Sequence, residues 1–541
     1  MISLTSWLRE PKRGLKCAAV TPVGPGHAER ARDCRASIEA AWREHKGPFS
    51  QLAYCFVDDG NGTFGRSKAR NIGARNAFNA GADWIFFLDA DDLMAPRAFA
   101  IFSDYIEHYD AVWGLLANKP PNATDYHIRF PQALTLESLD ELLLLDPFLT
   151  LLMGHFVRAN AAIEIPFNEA MDAGEDFDYY IRAWENYRCI KIAQLLSINR
   201  SDIKSTGPRP ATANQWRAAA TKLLSAGLRR NGLQRHSSRA IAAVNRCSKE
   251  AQAFSRARNL VGLDSPFSLS RHLPYRGFVD VSGHEGDDFV LFDNSDDLVC
   301  AGLAWTGEYK PLSTDFWQML ARTSNVILDI GAYNGYFGFL ASRVAAKSNI
   351  HCFEPLAENY ARMRLNITVN GFNNIHAVNA AEADSEGIAA LNIYSTGKFF
   401  PLDASLGSRQ AHLVFRQPVN CMCIDAYIER NQIDGVGLAK ISVEGGELAV
   451  LTGMQQTIAK CHPDLLIEVS DGQSQAQLNA LLRQHGYRFY TIYDSRQEIE
   501  ATADLAAGSG NRDLNRLASV REAGEIARLT KQVYGFPLNF G

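Results

Sequence analysis

The sequence predicts an α/β protein made of two doubly wound units joined by a helical segment. Three observations carry that expectation. Short apolar runs alternate with helical patterns over residues 16–200, and again from about 290 to 500. One apolar run ends in acids, DWIFFLDADDLM at 83–94, and another ends in glycines, VILDIGAYNGYFG at 326–338. At 541 residues the chain is too long for one hydrophobic core, so two or three domains are expected.

Composition narrows the class. An apolar content of 46% with 21% charged residues is ordinary for a soluble globular protein. A net charge of −5 gives no case for binding nucleic acid. The ten cysteines form no C-x-x-C pair, and Cys421 and Cys423 are too close for a zinc ribbon. Reduced thiols in a cytoplasm fit best. The N-terminus MISLTSWLREPKRGLKC lacks a signal-peptide apolar run. The most apolar stretch, LLLLDPFLTLLMGHFV at 142–157, is broken by Asp146, Pro147 and His155, so no membrane span is expected.

In chain order, CAAVTPV reads as a strand and HAERARDCRASIEAAWREH as an amphipathic helix. LAYCFVDDG is a second strand, RSKARNIGARNAFNAG a second helix, and DWIFFLDADD a third strand. Strands separated by helices predict βαβ units in a mainly parallel sheet. Ligands of such sheets sit beyond the carboxyl ends of the strands. Three strands end there in polar residues: Thr21 with Pro22, Asp58 with Asp59, and Asp89 with Asp91. An Asp-x-Asp pair offers hard oxygen ligands to Mg²⁺ or Mn²⁺, and diphosphate oxygens of a nucleotide-sugar would fill other positions. The same pair also suits a turn or a helix cap. Glu175 and Asp176 open a helix in MDAGEDFDYYIRAW, a place the helix dipole favours for acids without any catalysis.

These pieces, in this order over residues 16–200, resemble an inverting family 2 glycosyltransferase of the GT-A fold. The resemblance implies that Asp58 contacts the nucleotide base, that Arg70 and Asn71 lie near a UDP- or GDP-sugar, and that Asp89 and Asp91 carry the metal. Asp176, or else Glu175, would deprotonate the acceptor hydroxyl. One departure is that SINRSDIKSTG at 197–207 lacks the histidine that often completes the metal site in the family. Asp202 or a diphosphate oxygen would substitute, and His127 and His155 read as structural.

From 205 to 264 the texture is helical, alanine-rich and basic, with Arg229, Arg230, Arg235, Arg239, Arg256 and Arg258. Two readings stand: a solvated linker, or a surface meeting anionic lipid or a phosphorylated acceptor. The expected domains are thus 1–204, a linker 205–264, and 265–541 with its core at about 290–500.

The third segment opens with the β-rich pieces GFVDVSG and DFVLFD and then alternates again through NVILDIGA, NIHCFEP, NIHAVNAA, GLAKISV, DLLIEVS and RFYTIYD. Gly331 and Gly335 let backbone approach a ligand, but Gly-x-x-x-Gly is not a dinucleotide fingerprint. Glu354 ends the next strand, placed to accept both ribose hydroxyls of an adenosine. These features favour S-adenosylmethionine over NAD; an NAD-dependent nucleotide-sugar oxidoreductase is the competing reading. The succession FEP, LAENYARMRLNITVNG, NAAEADSEG, LAKISVEGGELAVLTGM and PDLLIEVS resembles the FkbM family of methyltransferases over about 290–500. The resemblance implies a Rossmann-like class I domain in which Asp329, Gly331, Asn334, Gly335 and Glu354 hold the cofactor. Glu382 or Asp384 would lie near the adenine, and Lys440 and Glu444 would face the methyl-transfer site. Ser442 stands where the family's Lys-x-Asp-x-Glu-Gly has an acid. Glu444 and Glu468 are then candidates to orient or deprotonate a hydroxyl, and a buried Lys440–Glu444 ion pair is the alternative.

Together these readings suggest a bifunctional enzyme of bacterial surface-polysaccharide assembly, acting on a glycan or lipid-linked saccharide at the inner face of the membrane. In the alternative, one domain only binds glycan or nucleotide.

Overall fold

The computed structural model describes residues 14–534 apart from 122, 172, 201–211, 259, 261–264, 283–287, 395–403, 406–412, 470–474 and 506–513. Asp202 and the expected boundary near 204 lie outside the described residues. The chain forms two compact units, Met1–Arg258 with Arg271–Tyr275, and Asn259–Ser270 with Arg276–Gly541.

The first unit is built on a six-stranded sheet in the order Phe49–Asp58, Leu15–Val23, Trp84–Phe87, His155–Arg158, Ala111–Trp113 and Cys189–Lys191. Leu15–Val23 pairs in parallel with both of its neighbours, while His155–Arg158 runs antiparallel to both of its own. Trp84–Phe87 is buried on both faces, which explains a run with no polar alternation. Phe99, Phe102 and Phe156 pack around it, with Phe102 stacked on Phe156 at 4.1 Å. The predicted helices form at Ala28–Glu44 and Arg66–Asn79.

Of the stretch expected to be a linker, the part up to Arg258 belongs to this first unit and Asn259 onward to the second. The first part forms the helices Ala213–Arg230 and Ser238–Ala257. The first is fixed by a reciprocal cap between Thr212 and Gln215, and it buries Ala220 and Leu224. The second buries Ala240, Cys247 and Ala251. Acids elsewhere in the unit answer their arginines: Arg230 pairs with Glu185 at 2.7 Å, and Arg239 pairs with Asp140. Arg246 donates to Glu141 at 3.0 Å, to Thr135 at 3.0 Å and to Glu250 at 2.6 Å. A stretch that looks like a solvated cationic face by composition is therefore docked by ion pairs of long sequence separation.

The second unit has an eight-stranded sheet in the order Ile375–Val378, Asn349–Phe353, Val326–Ile330, Val436–Ile441, Asp464–Glu468, Asn515–Ser519, Arg488–Tyr493 and Glu498–Thr502. The first five strands pair in parallel, and Asn515–Ser519 is antiparallel to both of its neighbours. The winding reverses between Val326–Ile330 and Val436–Ile441, where a doubly wound sheet opens a crevice for ligand. The β-rich lead-in is a hairpin-like pair, Gly277–Val281 with Phe289–Asp293. No helix among the described residues is long and apolar enough to cross a membrane.

Arg246→Met tests the docking of the basic helices. It should lower the free energy of unfolding of the full chain by about 1–2 kcal/mol, because the partly buried Glu141 and Thr135 lose a charged donor. A urea titration monitored by circular dichroism measures it.

Candidate active sites

In the first unit the acids meet where the winding of the sheet reverses, between Leu15–Val23 and Trp84–Phe87. Carboxylate oxygens of Asp89, Asp91 and Asp92 lie within 4.8 Å of one another. Arg200 braces their turn, donating to the carbonyls of Asp91 and Ala90 and pairing with Asp33 at 2.8 Å. Asp92 is internal, accepting from Asn199 Nδ2 at 3.0 Å and Arg200 N at 3.2 Å. Burial, then Asp89, pushes the Asp91 carboxyl above its ordinary range, and burial with both neighbours pushes Asp92 well above it. Carboxylates crowded this closely at a strand end fit a hard divalent cation on Asp89 and Asp91.

The arginine expected to face a phosphate lies between two acids instead. Arg70 Nη2 donates to both oxygens of Asp89, at 2.6 and 2.9 Å, and Nη1 lies 3.5 Å from Glu175 Oε1. Arg66 also holds Glu175, at 2.5 Å. Glu175 is 3% exposed, and two guanidiniums flank it, so it links the Asp-x-Asp turn to the Glu175–Asn186 helix. It is badly placed to serve as a base. Asp176 is half-exposed beside it. Its Oδ1 accepts from Phe177 N and from Trp216 Nε1, both at 2.8 Å.

Two other expected donor residues are internal. Asn71 accepts from Phe167 N at 2.8 Å and donates to Phe167 O and Glu169 at 2.9 Å, tying a distant loop to its helix. Thr21 is fully buried, whereas Pro22 is half-buried at the strand end. Asp58 is exposed and accepts from Gly60 N at 2.9 Å, as an acid ending a strand above a turn would. His155 is structural as expected: it stacks on Trp113 at 4.3 Å, and burial lowers its pKa to about 3.

In the second unit a cavity of about 480 Å³ opens at the reversal point, a size suited to one cofactor. Gly331 and Ser442 line it from adjacent strands. A β-carbon at Gly331, whose φ is +76°, would lie 2.0 Å from the Ser442 carbonyl, so only glycine closes this floor. Glu354 and Glu382 line the same cavity, with Asp384 and Glu444. Glu354 accepts from Tyr333 N at 2.9 Å, Leu356 N at 3.0 Å and Asn359 at 3.4 Å. Burial outweighs these donors and pushes its carboxyl up to about 7. Glu382 is 4% exposed, and among the described residues neither carboxyl oxygen has a hydrogen-bond partner. A buried carboxyl without partners is costly, and an exocyclic amine entering the cavity would satisfy it.

Asp329, Asn334 and Gly335 support the floor rather than line the cavity. Asp329 accepts from Gly338 N at 2.9 Å beneath the turn. Asn334 donates to Asp297 at 2.9 Å and accepts from Tyr336 N at 3.1 Å. Gly335 is the left-handed residue opening the Tyr336–Val344 helix.

Beside the cavity, Ser442 donates to Glu468 Oε2 at 2.9 Å and Lys310 to Oε1 at 2.8 Å. Burial opposes ionisation of Glu468, but Lys310 and Lys440 hold its carboxyl down at about 2. Glu468 therefore stays ionised and is a poor proton acceptor. Lys440 lies 4.7 Å over the Phe337 ring, and burial lowers its pKa. The ion pair formed here is Lys310–Glu468. Lys310, Arg66, Arg200 and Trp216 escaped the sequence reading; each reaches its site from far along the chain, and none sits in a local motif.

Residues 51–163 match the glycosyl transferase family 2 model, and residues 329–489 match that of the methyltransferase FkbM domain. The chain thus carries a domain of each of these two transferase families. No curated protein matches it. The crystal structure of methyltransferase FkbM from Methylobacillus flagellatus KT is 16% identical, with a TM-score of 0.26, and the match covers 41% of this chain. The chain spans 55% of that protein's length. S. aureus TarS 1-349, solved in complex with UDP-GlcNAc, is 14% identical with a TM-score of 0.28, covering 52% of this chain and 97% of that one.

The Glu354 carboxyl gives a pH prediction. A ribose whose hydroxyls donate to Glu354 would need its ionised form, so a carboxyl raised to about 7 would lose a proton on binding. Affinity for S-adenosylmethionine should then rise as pH increases through about 7. Glu354→Gln should flatten that dependence and weaken binding roughly tenfold at pH 8, as read by calorimetry.

Proposed function

We propose that the chain is a bifunctional glycan-modifying enzyme, one unit transferring a sugar from a UDP- or GDP-sugar and the other O-methylating a sugar hydroxyl. The observation that carries this reading is that each unit gathers its acids at the reversal point of its own sheet, with chemistry suited to a different ligand.

For glycosyl transfer, a divalent cation bound at Asp89 and Asp91 would neutralise charge on the departing diphosphate. Asp176 is the base. With Oδ1 held by two donors, Oδ2 accepts the acceptor hydroxyl's proton. The acceptor oxygen bonds to the anomeric carbon from the face opposite the diphosphate. The carbon–oxygen bond to phosphate breaks, its electron pair leaves with the diphosphate, and the configuration inverts. The proton is taken as that bond breaks, when the hydroxyl has become acidic enough for a carboxylate.

For methyl transfer, S-adenosylmethionine would supply a methyl group on a sulfonium. Glu354 holds the ribose, and Glu382 with Asp384 reads the adenine. Glu444, whose backbone is left-handed at φ +54° where its side chain lines the cavity, orients and deprotonates the sugar hydroxyl. Lys440 and Lys310 fix Glu468 as a permanent anion beside it. Fusion of the two domains suggests a shared saccharide acceptor, free or lipid-linked, in surface-polysaccharide assembly. Contact with anionic membrane would fall to exposed cations such as Arg229 and Arg235.

A second reading, in which the first unit grips a nucleotide without turnover, is favoured by one observation: Arg70 covers both oxygens of Asp89. A panel of UDP- and GDP-sugars, each with and without Mn²⁺, separates the two. The enzyme reading expects hydrolysis of at least one sugar that Mn²⁺ stimulates; binding without hydrolysis across the panel would support the second.

Two variants should dissociate the activities. Asp91→Ala should reduce Mn²⁺-stimulated donor hydrolysis at least a hundredfold while leaving S-adenosylmethionine binding within twofold. Glu382→Gln should weaken S-adenosylmethionine binding and leave donor hydrolysis unchanged. Loss of both functions in either variant, with the fold intact by circular dichroism, would contradict independent sites.

A further inference from the structure

We propose that Trp216, which lies outside both family matches, is a positioning residue for the glycosyl-transfer base; this rests on the reading of Asp176 given above. Its indole Nε1 donates to Asp176 Oδ1 at 2.8 Å. A carboxylate on a free rotor offers either oxygen in many directions. Here one oxygen is fixed twice, by the indole and by Phe177 N at 2.8 Å, which leaves Oδ2 as the reactive one.

The surroundings of Trp216 are built to hold that geometry. The Thr212–Gln215 capping box sets the start of its helix within one turn of the tryptophan. Its ring packs at 4.5 Å from Phe148 and 6.2 Å from Phe177, and the guanidinium of Arg217 covers the Phe148 ring at 4.5 Å. Gly174, left-handed at φ +77°, caps the base's helix, and a β-carbon there would lie 2.9 Å from Ala219 Cβ. The Ala213–Arg230 helix can approach this closely only because position 174 carries no side chain. The helix that composition marks as a linker thus reaches the proposed reaction centre with a single hydrogen-bond donor. Its role is to orient: the contacts of the indole are with Asp176, Phe148 and Phe177, so its loss should act on turnover and not on donor binding.

Full-length Trp216→Phe keeps the aromatic packing and deletes only the N–H. In hydrolysis of whichever nucleotide-sugar of the panel is turned over, kcat should fall roughly tenfold, with the donor KM within twofold of wild type. Phe148→Leu loosens the same ring without touching the N–H and should leave kcat within about twofold. Equal losses in the two variants, or an unchanged kcat in Trp216→Phe, would overturn the proposal. Asp176→Asn separates this failure from that of the base itself, because full activity in Asp176→Asn would refute the base assignment, whatever Trp216 does.

A readout independent of activity comes from ¹⁵N-indole spectra of the eight tryptophans. The resonance missing in Trp216→Phe should move in Asp176→Asn, because its N–H then donates to a neutral amide oxygen or loses its acceptor. A Trp216 resonance left in place by Asp176→Asn would also overturn it.

Discussion

A carboxylate buried at the end of a parallel strand must have something to interact with. Removing an ionised acid from water without partners costs more than most single contacts can return. The two units meet this constraint in different ways. In the first, the acids are answered by cations and donors of the protein itself: Arg70 on Asp89, Arg66 on Glu175, Arg200 around the Asp91 turn, Trp216 on Asp176. In the second, Glu382 is left unanswered within its cavity, and Glu354 is answered by donors too weak to keep its proton affinity ordinary. The first site is a prearranged electrostatic frame, and the second is a socket whose cost falls when a ligand enters.

That difference bears on which residues touch ligand. Where guanidiniums flank a buried acid, as with Glu175, the group is framework. Where one oxygen is held by two donors at a half-exposed site, as with Asp176, the proposed function takes the other oxygen for chemistry. The absence of any partner, as with Glu382, points to a group on the ligand. Burial alone does not separate these cases, since Glu175 and Glu382 are 3% and 4% exposed.

Much of the fold was legible in the chain, for a physical reason. Strands buried on both faces leave unbroken apolar runs, and WIFF and VILDI stand out in the bare sequence. The acids and glycines that follow mark the carboxyl edge, so Asp89, Asp91, Gly331, Glu354 and Glu382 could be placed by reading forward from a strand. What the chain did not show for Asn71, Asn334 and Asp329 is their internal partners, backbone groups and side chains that only tertiary structure brings up. The docking of the basic helices was hidden in the same way: their counter-charges, Glu141, Asp140 and Glu185, lie far back along the chain. Local composition cannot show a pairing that spans a hundred residues, and an arginine-rich helix looks solvated until its partners are folded against it.

The two chemistries also differ in how much they ask of a base, and the residues reflect it. In glycosyl transfer the nucleophile is an alcohol whose proton must leave as the sugar–phosphate bond breaks, so the direction of one carboxylate oxygen matters. In methyl transfer from a sulfonium the electrophile is already cationic, and bringing a nucleophile in line behind the methyl group supplies much of the rate. Ser442 in place of an acid is intelligible on that ground. A second carboxylate beside Glu468 would share Lys310 and Lys440 with it, and two anions in one buried pocket raise each other's proton affinity. A hydroxyl donates to Glu468 instead and leaves one anion with two lysines about it. With serine there, the pocket keeps one fixed anion where two acids would compete for the same two lysines.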